Sequence, residues 1–209
     1  MPESKLRIGV IGFDHWYSAL PMVRTLASHP AAELAGIADP DPERAHQAGV
    51  RAGRPDLVLE APEALIEDPS VEVIASFIDP GRNPEICIAA ARQGKHLLSI
   101  KPVARTLEEA DRVVAAVEEA GVSFLPAESR GRLAAINQQL RSWIDEGRFG
   151  QMLSAYCSLW ATLPQRWPGD HDPGWFADPE RTVGGGWIDH AIYQIDLLRW
   201  LSGQEVVSA

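Results

Sequence analysis

Six short apolar runs, each separated from the next by turn residues and a helical pattern, constrain this sequence more than any other feature. They are Leu6–Ile11, Glu33–Ala38, Leu57–Leu59, Val71–Ile78, His96–Ile100 and Val122–Leu125. Their near-continuous apolar character is what strands buried on both faces of a parallel sheet require. The helices between them have legible ends. Asn83-Pro84 places a proline in a first turn and Gly94 follows the last one. Thr106-Leu107-Glu108-Glu109 has the spacing of a capping box, and Leu107, Ala110, Val113, Val114 and Val117 keep helical period up to Gly121. A β-α-β-α succession of this kind predicts an α/β fold with a doubly wound parallel sheet of Rossmann type over residues 1–126.

From about residue 127 the pattern changes. Leu133, Ile136, Leu140, Trp143 and Ile144 predict one amphipathic helix ended by Gly147. Gln151–Thr162 alternates two side-chain sets, the mark of a half-buried strand in an antiparallel-type sheet. A Pro/Gly/Trp-rich loop, Leu163–Gly186, precedes a helix over Trp187–Ser202, and Glu205–Ala209 has the pattern of another strand beginning. Residues 127–209 are therefore expected to form part of a second, α+β domain with an open sheet, whose edge could pair with a second copy of the chain.

Composition excludes more than it identifies. Lys+Arg of 19 against Asp+Glu of 29 gives a net charge of −10, the wrong sign for a chain that grips nucleic-acid phosphates. Cys87 and Cys157 stand far apart with no second cysteine at metal-ligand spacing, which makes a reducing cytoplasm the expected compartment. No apolar run reaches the length of a membrane span, and the first residues show no signal-peptide pattern. Three Asp-His neighbourhoods (Asp14-His15, Asp170-His171-Asp172 and Asp189-His190) raise the question of a metal. Adjacent side chains diverge on a helix, so no metal site is expected.

The first strand-to-helix turn, Gly9-Val10-Ile11-Gly12-Phe13-Asp14-His15-Trp16-Tyr17, is where a dinucleotide's pyrophosphate rests in a Rossmann fold. Gly12 matches the first glycine of G-x-G-x-x-G, but Asp14 and Tyr17 replace the second and third. A carboxylate about 4 Å from a phosphate would cost roughly 4 kcal/mol at an effective dielectric near 20. Asp14 must therefore turn away or be neutralised if a dinucleotide binds, and a protonated His15 could neutralise it. Replacing Asp14 by Gly is expected to tighten binding. Asp39, after the second run, is placed to accept hydrogen bonds from an adenosine ribose, which favours NAD over NADP.

Two later segments resemble one family. Gly94-Lys95-His96-Leu97-Leu98-Ser99-Ile100-Lys101-Pro102 resembles the "GKHVLCEKP" segment of the Gfo/Idh/MocA oxidoreductases, and Val183–Asp196 resembles their "GGGxLxDxGxHxxD" motif. The resemblance implies a nicotinamide-dependent hydride transfer to or from a sugar, polyol or similar hydroxylated small molecule. Gly12, Phe13, Asp14, His15, Asp39, Ile78, Lys101 and Pro102 would then line the cofactor. Lys101 would contact nicotinamide ribose and substrate hydroxyl, Asp189 matches the motif's Asp, and Tyr193 falls where most members carry the base histidine. Asp189 and Tyr193 are four apart on one helix and so share a face. A phenol of pKa about 10 is a poor base unless a cation such as Lys101 lowers it, and His190 is the alternative base.

Departures from the family pattern are Ile100 before Lys101, the segment Ile78-Asp79-Pro80-Gly81-Arg82-Asn83 without its usual Thr and His, and the altered turn. They keep open a second reading, a non-catalytic binding or regulatory protein that retained the fold. Members of the family also continue past residue 209, so only part of the second domain is expected here.

Overall fold

The computed structural model describes residues 5–126, 130–162, 164–182 and 184–208. Its frame is a five-stranded sheet of β1 (Leu6–Ile11), β2 (Ala32–Ala38), β3 (Val73–Ser76), β4 (His96–Ser99) and β5 (Phe124–Pro126), in the order β2-β1-β3-β4-β5. Every pairing is parallel. The helices are α1 (Trp16–Leu26), α2 (Pro42–Ala52), α3 (Pro62–Ile66), α4 (Asn83–Arg92) and α5 (Leu107–Ala120). Successive strand residues enter opposite layers, as the two-residue period demands. Val10, Ile37 and Ala75 join one apolar cluster with Phe13, Leu20 and Val23, while Ile11, Ala38 and Ile74 join another with Leu65, Cys87 and Leu97. Both clusters are buried, and the doubly wound expectation holds.

Local signals behave as the sequence predicts. The Thr106–Glu109 capping box is closed in both directions, and Gly121 ends α5 in the left-handed region at φ 65°. Asn83 is buried at the start of α4, where its amide donates to Ser99 Oγ (2.9 Å) and the Val103 carbonyl (2.7 Å) and its oxygen accepts from Ser76 Oγ (2.7 Å). This ties the helix to the carboxyl ends of β3 and β4.

Other expectations fail, each for a visible reason. Leu57–Leu59 is not a strand: Pro55–Leu57 forms a 3-10 turn, and one bridge from Val58 to Ile37 follows. Proline opens that turn and has no N–H to give a ladder. The long amphipathic helix is broken at Ala134 into α6 (Arg130–Leu133) and α7 (Ala135–Asp145), with Leu133 and Ile136 exposed. Residues 151–162 form no strand; Leu153, Tyr156 and Trp160 are almost fully exposed. Alternation specifies a face to be covered, and no neighbouring strand among the described residues pairs with it. Among the described residues the expected antiparallel sheet is therefore not formed. Residues 205–208 likewise form no strand, and Ala209 lies outside the described residues, as do Leu163, Val183 and 127–129 at the expected domain boundary. The last helix, α8 (Gly185–Ser202), begins two residues earlier than predicted and ends at Gly203. No helix among the described residues is long and apolar enough to cross a membrane.

Candidate active site

The strand order reverses direction of growth at β1, so a crevice opens above the carboxyl ends of β1 and β3, where doubly wound sheets bind ligands. Gly12 leaves β1 at φ 84°, and a Cβ there would stand 2.2 Å from Ile78 Cγ1. Close packing on the buried Ile78 therefore demands glycine at this position. Lys101 follows β4 across a cis bond to Pro102, and α8 presents Asp189, His190 and Tyr193 toward it.

Lys101 is the meeting point of these elements. Its buried ammonium donates to the Asp189 carbonyl at 2.6 Å and to the Asp189 carboxylate. It also lies 4.6 Å from the centroid of the Tyr193 ring, over its face. His190 Nε2 stands 3.6 Å from the other Asp189 oxygen, its ring is 6.1 Å from that of Tyr193, and its buried Nδ1 has no partner. A cavity of about 590 Å³, lined by Pro102, Thr162, Trp175, Phe176, Asp189 and His190 among others, opens beside this group. His190, the residue after Asp189 on α8, lines the same cavity. All four catalytic candidates converge.

The turn is built differently from the expectation. Asp14 is buried, and its carboxylate accepts from Arg44 Nη1 (2.6 Å), Arg82 Nη2 (2.7 Å) and the Asp79 N–H (2.9 Å). The required neutralising charge comes from arginines, Arg44 and Arg82 by hydrogen bond and Arg181 at 3.8 Å, and not from His15. His15 is fully buried against Trp175 and Phe176, with ring centroids at 4.8 and 5.7 Å, and desolvation lowers its pKa to about 4. Its Nδ1 donates to the Phe77 carbonyl (3.3 Å), so the imidazole is neutral at pH 7 and Nε2 is an unpartnered acceptor. Trp175 Nε1 donates to the Asp14 carbonyl (3.3 Å), which fixes the 3-10 turn Gly174–Ala177 as a roof over this side of the turn.

Asp39 is also turned inward. It is 1% exposed, and its two oxygens accept from the Phe13 N–H and the Asp41 N–H, each at 2.8 Å. Burial raises its pKa, against the pull of Arg44. Asp79, 1% exposed, is held in the other direction: burial would raise its pKa, but hydrogen bonds from Arg181 and Arg82 outweigh that and lower it. Sequence reasoning missed Arg44, Arg82, Arg181 and Asp79. The available signal was the altered segment after β3, which carries both Asp79 and Arg82. Among the described residues no three His, Cys, Asp or Glu side chains gather as a metal site would require.

With this geometry in view, similarity to known proteins is decisive. Residues 6–127 match the model of the oxidoreductase family with an NAD-binding Rossmann fold, and residues 137–209 match the GFO/IDH/MocA C-terminal domain. The chain belongs to the Gfo/Idh/MocA oxidoreductase family. It is 33% identical to a 1,5-anhydro-D-fructose reductase of Ensifer adhaerens over 70% of the chain and 42% of that protein. It is 31% identical to a levoglucosan dehydrogenase of Pseudarthrobacter phenanthrenivorans over 95% of the chain and 52% of that protein. Among solved structures, the WlbA dehydrogenase of Bordetella pertussis, in complex with NADH and UDP-GlcNAcA, superposes with a TM-score of 0.79 at 26% identity, covering 96% of this chain and 56% of that one. A levoglucosan dehydrogenase complexed with NADH and levoglucosan gives 0.75 at 28%, covering 96% and 55%. The chain thus spans about half the length of the curated relatives it matches.

The frame of this chain fits the family's dinucleotide: Gly12 at positive φ, the start of α1 and the carboxyl ends of β1 and β3 are all in place. What differs is the lining, where guanidinium groups stand beside the turn.

Proposed function

We propose that this chain carries the cofactor and catalytic groups of an NAD-dependent dehydrogenase acting on a CH–OH group of a sugar, polyol or related small molecule. Residues 1–126 form its dinucleotide domain and 127–209 part of its substrate domain. The observation that carries the reading is the meeting of Lys101 with Asp189, 88 positions later, and with Tyr193, beside a cavity large enough for a monosaccharide. Bound NAD supplies the hydride acceptor. The chain's own groups handle the hydroxyl. Lys101 Nζ, held by Asp189, is the donor that fixes the substrate oxygen and favours its anionic character as the proton leaves. An imidazole is a better base than a phenol near neutral pH, and the His190 ring lines the cavity. The geometry therefore favours His190 as the proton acceptor, with the Tyr193 ring seating the ammonium.

The test is NADH formation across a panel of sugars and polyols. Lys101→Ala should abolish turnover. His190→Ala should lower kcat by about a hundredfold or more, the usual worth of a positioned base, while Tyr193→Phe keeps most of it. Full activity in His190→Ala would return the base to Tyr193.

A second reading is favoured by one specific feature: Trp175 and Phe176 roof the turn, and the Phe13 and His15 N–H groups are spent on Asp39 and the Phe77 carbonyl. It is a non-catalytic protein on the same frame, and absence of NADH binding to the purified chain would select it.

A further inference from the structure

In a glycine-rich turn the phosphates are met by backbone N–H groups. Here three of those groups are engaged elsewhere. The Gly12 N–H donates to the Ala38 carbonyl (2.8 Å), Phe13 to Asp39 Oδ2 (2.8 Å) and His15 to the Phe77 carbonyl (3.1 Å). The residue at the second glycine position, Asp14, instead draws two guanidinium groups to the turn from α2 and from the segment before α4. Arg82 keeps 41% of its side chain exposed and Arg44 19%. Arg82 spends Nε and Nη2 on Asp79 and Asp14 and leaves Nη1 without a hydrogen bond among the described residues. Arg44 spends Nη1 on Asp14, while its Nε and Nη2 stand 3.8 and 3.9 Å from the Asp39 and Asp41 carboxylates, beyond hydrogen-bond reach. A planar guanidinium anchored on one side by a carboxylate keeps its remaining donors in a fixed direction, the arrangement that recognises phosphate oxygens.

We propose that Arg44 and Arg82, anchored by Asp14, make phosphate contacts of this dinucleotide site in place of the engaged Gly12, Phe13 and His15 N–H groups. The inference rests on the cofactor reading above and assigns Asp14 a positioning role. It reverses the effect expected of Asp14→Gly from the sequence: removing the carboxylate releases both arginines, so affinity falls.

The experiment titrates the folded chain with NADH, with ADP-ribose, which keeps the pyrophosphate and lacks nicotinamide, and with adenosine, which lacks phosphate. Thermal denaturation checks each variant. Arg82→Ala and Arg44→Ala should each weaken NADH and ADP-ribose by about tenfold or more, the worth of a charge-assisted hydrogen bond. Adenosine binding should not change, and the salt dependence of NADH binding should become shallower. Arg82→Lys should recover part of the loss. Asp14→Gly should weaken NADH, with Asp14→Asn weakening it less; Asp14→Asn also serves should the glycine variant not fold. If NADH binds and the arginine variants bind equally well, or if Asp14→Gly tightens binding, the arginine contact is wrong while the cofactor reading stands. If ADP-ribose binds in an arginine-dependent way and NADH does not, the contact stands and the dehydrogenase reading falls. Failure of the unmodified chain to bind either ligand overturns both.

Discussion

Along α1, the residues Ala19, Leu20, Val23 and Leu26 are buried, whereas α7, of equal length, buries none of its residues despite an apolar stripe of Ile136, Leu140 and Trp143. The same contrast separates residues 5–126, which hold two apolar clusters on either face of the sheet, from residues 130–208, where the buried apolar side chains are Trp175, Phe176 and Leu201. Equal length and an apolar stripe have not produced equal burial. A helix gains its stability mainly from the surface it packs on, and only the first region provides a complete one. The second is held to the first chiefly by polar contacts: Lys101 to Asp189, Arg181 to Asp79, Trp175 to the Asp14 carbonyl and Arg105 to the Glu180 carbonyl.

The largest expected effect attacks that junction. Asp189→Ala leaves the Lys101 ammonium buried without its carboxylate, which should cost about 3–5 kcal/mol in urea denaturation. A loss below about 1 kcal/mol, the range of exposed pairs, would show that the junction is open to water. Next, Ile74→Ala in the sheet should cost about 2–5 kcal/mol, while Ile136→Ala on α7 should change stability by no more than about 0.5 kcal/mol. Similar losses at the two sites would erase the contrast.

The interface should also be sensitive to pH. The His15 pKa falls from 6.5 to about 4 on folding because burial disfavours the charged ring. Above pH 6.5 the ring is neutral in both states and contributes no pH dependence. As pH falls below 6.5 the unfolded chain takes up the proton first, so stability is lost progressively until the folded state also protonates near pH 4. The loss amounts to roughly 3 kcal/mol. His15→Gln should flatten the stability profile over that window; an unchanged profile would place the loss on other groups. A smaller effect at the junction belongs to Arg181→Ala. Its partly exposed pair with Asp79 should cost about 1 kcal/mol or less, but acrylamide should then quench tryptophan fluorescence more strongly as Trp175 loosens. Finally, Cys157, exposed, should react with a thiol reagent in the native protein. Cys87, buried with its pKa pushed up to about 12, should react only on unfolding.

What could be read from the sequence divides along the same line. The strands β1 and β4, the Thr106 cap and the Gly121 stop were legible because their signals are local: apolar runs, a four-residue spacing, a glycine in the left-handed region. The segment 151–162 misled for the same reason, since a local alternation cannot supply the neighbour that would make it a strand. Lys101 and the α8 residues were legible through motif resemblance, and their convergence is a consequence of where β4 ends and α8 begins.

The sequence by itself determined the parallel sheet, the need for glycine at position 12 and, through motif resemblance, the candidates Lys101, Asp189, His190 and Tyr193. Only the tertiary structure decided the electrostatics of the turn. It brought Arg44 to Asp14 across 30 positions, Arg82 to Asp14 across 68 and Arg181 to Asp79 across 102. It also turned Asp39 toward backbone N–H groups and closed Trp175 and Phe176 over His15. The physical reason is range. Backbone propensity and apolar period act over a few residues, whereas an ion pair or a buried ring is fixed by where separate elements end in space, and a carboxylate in a turn does not reveal in sequence which cation will reach it.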